Sequence, residues 1–248
     1  MSKVNFDFTG ENYVVTGASS GMGRQVALEL AQAGAKVLAI ARREDKLLEL
    51  QAECEGRIFI APLDVCDGEK LETAIKVFVE AHGKLSGGVH AAGITNITPL
   101  KSYDKVQALK IMEVNFWSGM DILQLITKKR YSNEGTSFVL FSSVAAVYSP
   151  KGMFVYSASK AAIEAAIRSV SKEISMRGQR INSIMPGWVE TGMTDELGVV
   201  SNKSEIVAHE ILGVGVPDDV SGMVLFLLSD RARWITGTSI AVDGGFLA

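Results

Sequence analysis

Ser143, Tyr156 and Lys160 lie in one stretch, 142–160, where a strand-like apolar run (136–141) gives way to a helical pattern beginning near Tyr156. On a helix, Tyr156 and Lys160 are i and i+4 and share a face. That spacing sets an ammonium beside a phenol, and a nearby positive charge lowers a phenol's pKa. A free tyrosine titrates near 10, so a lowered phenol exchanges protons more readily at neutral pH. Ser143, at the strand end, can hydrogen-bond a carbonyl oxygen and polarise it. The chemistry these residue types support is proton transfer at a carbonyl or alcohol during a redox step. A Tyr-x-x-x-Lys pair alone recurs by chance in helices; its placement gives it weight.

A second group stands near the start of the chain. Thr16-Gly17-Ala18-Ser19-Ser20-Gly21-Met22-Gly23 follows a β-branched run (13–16) and precedes an amphipathic helical pattern (24–33). Glycines at such a turn let the backbone approach a phosphate, and the helix start offers free N–H groups and a positive dipole end. The plainer reading is a turn that needs glycine dihedrals. The position between a first strand and a first helix favours phosphate binding through Gly17, Ser19, Ser20, Gly21 and Met22. At the end of the second strand the chain reads Ala39-Ile40-Ala41-Arg42-Arg43. An acidic residue there would bond a ribose 2′-OH, whereas an arginine accommodates a 2′-phosphate. The expected cofactor is NADP(H), the alternative being two solvated arginines at a helix start.

The elements that position these residues alternate along the chain. Strands are expected at 13–16, 36–41, 57–62, 88–92, 136–141, 180–185 and 238–242. Helices are expected at 24–33, 44–54, 68–81, 157–176 and 217–228, with a long, broken helical region over 102–130. Continuously apolar strands alternating with helices indicate α/β architecture: a doubly wound, Rossmann-type parallel sheet of seven strands in a single domain, residues 1–248. Residues 191–216 break the rhythm, and a connection that long suggests a lid over a ligand.

Composition narrows the partners. The chain has 248 residues, 47% apolar and 21% charged, with net charge −3, so a disordered chain is not expected. Nothing in that charge favours nucleic acid or an anionic membrane. Cys54 and Cys66 lack metal-ligand spacing, so no metal is expected. Two thiols, no signal-peptide pattern and no apolar run near 20 residues point to the cytoplasm.

The Thr-Gly-x-x-x-Gly-x-Gly loop, with Ser143, Tyr156 and Lys160 in register, resembles the single-domain short-chain dehydrogenase/reductases over essentially the whole chain. The overall pattern is most similar to bacterial 3-oxoacyl-[acyl-carrier-protein] reductases. The resemblance implies that Tyr156 is the acid/base and that Lys160 also holds the nicotinamide ribose. Asn115 is the fourth member, positioning a relay water. It places Asp64 and Val65 at the adenine, and Ala92 and Gly93 at the adenosine ribose. Pro186, Gly187, Val189 and Thr191 fall beside the nicotinamide and phosphates. Ala145, Val147, Met153, Phe154, Trp188 and Met193 are the expected substrate contacts. Where the family carries Asn-Asn-Ala-Gly, this chain has His90-Ala91-Ala92-Gly93, and His90 reads as a satisfied core residue.

Three functions stay open: an NADPH-dependent 3-oxoacyl-thioester reductase of fatty acid biosynthesis, a reductase or dehydrogenase for another ketone/alcohol pair (sugar, steroid or secondary metabolite), or a catalytically idle dinucleotide-binding regulator. Arg177 with Lys128, Lys129 and Arg130 offers a basic patch for an acyl carrier protein, or equally a set of helix-end cations. A homotetramer built on 102–130 and 157–176 is the family's expectation.

Overall fold

The computed structural model describes residues 4–191 and 211–248. Seven strands form one sheet: β1 (Asn12–Thr16), β2 (Lys36–Ala41), β3 (Ile58–Pro62), β4 (Leu85–His90), β5 (Ser132–Phe141), β6 (Arg180–Pro186) and β7 (Ser239–Val242). Their order is β3-β2-β1-β4-β5-β6-β7, every pairing parallel. The helices are α1 (Gly21–Gln32), α2 (Glu44–Glu53), α3 (Gly68–His82), α4 (Lys105–Met112), α5 (Ser118–Ile126), α6 (Ala145–Tyr148), α7 (Phe154–Ile174) and α8 (Pro217–Leu228).

Side chains alternate across a strand, so neighbours feed opposite cores. Val15, Val37, Val139 and Ile184 pack with Leu30 of α1 and Val224 and Leu227 of α8. Val14, Leu38, Leu140 and Ile181 pack with Leu71 and Ile75 of α3, Ile122 of α5 and Ile163 of α7. Each fully buried leucine or isoleucine contributes about 1.5–3 kcal/mol relative to exposure. Because both faces are covered, the strands read as unbroken apolar runs.

Strand order reverses between β1 and β4, the place where open α/β sheets leave a crevice at the carboxyl ends of their strands. α8 starts where its residues say it should: Pro217 takes the first position, and Asp219 Oδ2 accepts from the Val216 N–H at 2.8 Å.

Several boundaries differ from expectation; α7, for one, begins at Phe154 rather than 157. β4 runs Leu85–His90 rather than 88–92, and so takes in Gly87 as well as Gly88. They are glycine because their neighbours leave no room. A Cβ on Gly88 would stand 2.7 Å from Ile126 Cδ1, and one on Gly87 would press on the Ser137 carbonyl. β5 begins at Ser132, which pairs with Leu85 before a register shift. α1 begins at Gly21 itself, directly on the loop. The region expected to be a broken helix is α4 and α5 joined by a π-turn, Glu113–Trp117.

Candidate active site

The crevice gathers the ends of β1, β4, β5 and β6. At its first wall, Gly17 has φ +69°, and a Cβ there would stand 2.7 Å from the Ala91 carbonyl and the Ala92 nitrogen. Only glycine fits, and the loop backbone lies against the β4 end. α1 follows with Ser20 extended at its N-cap, no side-chain cap and no acidic residue in its first turn. The positive dipole end and early N–H groups are therefore ready for an anion.

Arg43 extends its guanidinium to this loop: Nη2 donates to Ser20 Oγ at 2.6 Å and to Ser19 Oγ at 3.0 Å. Arg42 is exposed beside it. Of the two expected arginines, Arg43 is the one seated at the loop.

Thr191 comes to the same place from the far side, its Cγ2 3.0 Å from a Cβ on Gly21. Val189 is buried and bridges Gly215, and Glu190 N donates to the Gly215 carbonyl at 2.8 Å. Pro186 ends β6, and Gly187 N donates to the Val242 carbonyl at 3.1 Å. At the β3 end Asp64 is exposed, its carboxylate accepting from Cys66 N at 3.0 Å, and Val65 is buried. An uncapped helix start, a cradle that a Cβ would fill and a guanidinium over it fit a dinucleotide phosphate chain.

At the second wall, β5 ends at Phe141 and Ser143 follows, its Oγ oriented by the Ala145 N–H at 3.1 Å. The Ser143 hydroxyl acts on the Tyr156 phenol, favouring its charged form. Lys160, one turn along α7, is buried with Nζ 5.8 Å from the Tyr156 ring centroid, and donates to the Phe141 carbonyl at 2.7 Å. Burial alone pulls Lys160 down to about 8.

The phenol behaves otherwise than the spacing suggested. Burial pushes Tyr156 up, and the Ser143 hydroxyl opposes it. Lys160 approaches the ring face, where it forms a cation–π contact, so it does not by itself stabilise a phenolate.

Asn115 is fully buried in the π-turn. Its Oδ1 accepts from Ile94 N at 2.8 Å, and its Nδ2 donates to Ile94 O at 2.9 Å and to Ser159 Oγ at 3.0 Å. Gly93, after Ala92, brings these groups together: a Cβ on it would stand 3.4 Å from Asn115 Oδ1 and 3.5 Å from Lys160 Nζ. Ser159, between Tyr156 and Lys160 in sequence, went unread because its spacing signals nothing. The π-turn likewise has no sequence mark, though such turns gather at functional sites.

Of the expected substrate contacts, Ala145 is buried beneath the mouth, Val147 and Phe154 are exposed at it, and Met153 and Trp188 are half-buried. Phe154 meets Tyr103, ring centroids 5.7 Å apart. Met193 and most of the 191–216 segment lie outside the described residues.

The basic patch resolves differently. Arg177 donates to the carbonyls of Thr127, Ser132 and Asn133, and Arg130 pairs with Glu72. Arg177 is thus tied to the backbone at the end of the sheet where β5 and β6 begin, whereas the Arg130–Glu72 pair lies at the surface.

A strand-borne glycine loop and a Ser–Tyr–Lys–Asn cluster at the switch point define a class, and comparison with known proteins agrees. A family model described as Enoyl-(Acyl carrier protein) reductase matches residues 17–247. The chain belongs to the short-chain dehydrogenase/reductase family, a family of oxidoreductases that use a nicotinamide dinucleotide. It is 30% identical to a 3-oxoacyl-[acyl-carrier-protein] reductase of Thermotoga maritima, covering 96% of this chain and 98% of that one. It is 35% identical to an L-xylulose reductase of Caenorhabditis elegans, covering 98% of each. A short-chain type dehydrogenase/reductase from Mycobacterium ulcerans superposes with TM-score 0.90 at 31% identity, over 98% of this chain and 91% of that one. Among the described residues, no helix is long and apolar enough to cross a membrane.

Proposed function

We propose that the chain is an NADPH-dependent carbonyl reductase in which Tyr156 moves the proton, Ser143 polarises the carbonyl, Lys160 grips the cofactor ribose, and Asn115 holds the proton route. The observation that carries this reading is the Ser143 hydroxyl set to stabilise the Tyr156 phenolate, with buried Lys160 one turn along the same helix. A bound nicotinamide dinucleotide supplies the hydride; the chain's own residues handle the proton. Burial favours the protonated phenol, the form that donates to a carbonyl oxygen. The Ser143 hydroxyl stabilises charge at that oxygen as the carbonyl is reduced. Lys160 has three donors, of which Phe141 takes one, so its ammonium can also hold ribose hydroxyls. The Arg43 guanidinium over Ser19 and Ser20 supports a 2′-phosphate and hence NADPH.

The leading substrate is a 3-oxoacyl thioester. Support comes from exposed apolar side chains close in sequence to Ser143 and Tyr156, Val147 and Phe154, the latter against the Tyr103 ring, and from the name of the Thermotoga relative. The second reading, a reductase for a sugar-like ketone, draws on the L-xylulose reductase at 35% identity. The test is NADPH consumption with acetoacetyl thioesters, L-xylulose and a ketosteroid at matched concentrations. Preference for the thioester by tenfold or more in kcat/KM supports the first reading, and preference for the sugar replaces it. Exposed Val106, Leu109 and Trp117 near α4 and α5 support association of copies into a tetramer, which light scattering tests.

A further inference from the structure

His90, the last residue of β4, is 3% exposed. Its Nδ1 lies 2.9 Å from the Oγ1 of Thr16, the last residue of β1 and the neighbour of Gly17. Thr16 Oγ1 also accepts from Ala92 N at 3.4 Å. On the ring's other side, Nε2 is 3.5 Å from Ser118 Oγ. Ser118 Oγ donates to the Val114 carbonyl at 2.7 Å. Val114 belongs to the π-turn and precedes Asn115. Gly119 makes room for the ring: a Cβ there would stand 3.0 Å from His90 Cδ2.

The Ser118 hydroxyl gives its one hydrogen to the Val114 carbonyl and so accepts from Nε2–H, and Nδ1 takes the hydrogen of the Thr16 hydroxyl. We infer that His90 is a positioning residue, a neutral bridge tying the strand that leads into the glycine loop to the π-turn that presents Asn115. A π-turn loosens the i→i+4 ladder, and the Ser118 hydroxyl, backed by the imidazole, holds the Val114 carbonyl at that point. The bridge keeps the cofactor-binding wall and the proton-handling wall of the crevice in one register. Burial, with the charge of Lys160 nearby, holds the imidazole down at about 3, so the bridge does not switch at working pH.

This inference rests on the reductase reading for its kinetic arm only. In the wild-type chain, nitrogen-15 NMR should show His90 as the Nε2–H tautomer, unchanged from pH 5 to 9. His90→Phe keeps a ring beside Gly119 and removes both polar edges; His90→Gln keeps an N–H for Ser118. His90→Phe should lower kcat about tenfold or more with the ketone KM within about twofold, and His90→Gln should recover most of the loss. A titrating His90, or a protonated Nδ1, in an active enzyme overturns the bridge. So does wild-type kcat in His90→Phe, or equal losses in both variants that track the folded fraction. A wild-type chain that reduces no ketone yet shows the fixed tautomer sinks the reductase reading and leaves the bridge standing.

Discussion

Replacing Lys160 with methionine should change stability in a way that depends on pH by a calculable amount. Lys160 is 4% exposed, and among the described residues no carboxylate pairs with it. Its pKa falls from the ordinary 10.5 to about 8 in the folded chain. Between those values the unfolded chain binds more protons than the folded one, so this group makes stability rise as pH climbs from about 8 to 10.5. Below 8 the cost of burying the charge is fully present. At 1.36 kcal/mol per pKa unit it is about 3.4 kcal/mol at pH 7, falling to about 1.4 kcal/mol near pH 9.5. Methionine fills similar space and never ionises, but it gives up the hydrogen bond to Phe141, about 1–3 kcal/mol at either pH. Lys160→Met should therefore match or exceed wild-type stability at pH 7. Its advantage should shrink by about 2 kcal/mol on going to pH 9.5. Urea unfolding followed by tryptophan fluorescence, at one protein concentration for both chains, reads this directly. Subtracting wild type from variant cancels the other titrating groups, including Cys66, which burial pushes up to about 11. A pH-dependent difference below about 0.5 kcal/mol, or of opposite sign, would refute a buried, charge-burdened Lys160.

Other substitutions probe the two walls separately. Arg43→Asp should reduce the NADPH-over-NADH preference about 10- to 100-fold in kcat/KM by removing a charge-assisted pairing, whereas Arg42→Asp should act less; equal effects would return Arg42 to the site. Gly17→Ala should weaken dinucleotide binding at least tenfold in titration calorimetry, because its Cβ would collide with the Ala91 carbonyl at φ +69°. Ser143→Ala should lower kcat about 100-fold while leaving dinucleotide affinity intact, measured by fluorescence titration.

Much of this architecture was legible because single physical demands wrote it. Pro217 followed by Asp218 and Asp219 marks the start of α8 without ambiguity, and strands covered on both faces show as apolar runs. The spacing of Ser143, Tyr156 and Lys160 foretold their meeting, since one strand end and one helical turn suffice to assemble them. The start of β4 was less plain, because Gly87, packed against the Ser137 carbonyl and Tyr13, is the residue type that ends strands elsewhere. The π-turn at Asn115 was hidden because no side chain encodes it, only the competing bonds around Val114 and Ile94. The direction of the Tyr156 shift was also out of reach, since it depends on how deeply the crevice buries the phenol. Substrate choice reads least well, as Met193 and its neighbours lie outside the described residues.

The central claim is proton delivery by Tyr156 during ketone reduction, and single-turnover NADPH oxidation in wild type and Tyr156→Phe tests it most directly. The account predicts one alcohol formed per NADPH in the wild type. It also predicts a loss of about 100- to 10,000-fold in rate for Tyr156→Phe, with NADPH still bound. A Tyr156→Phe chain that reduces the same ketone at the wild-type rate would contradict it.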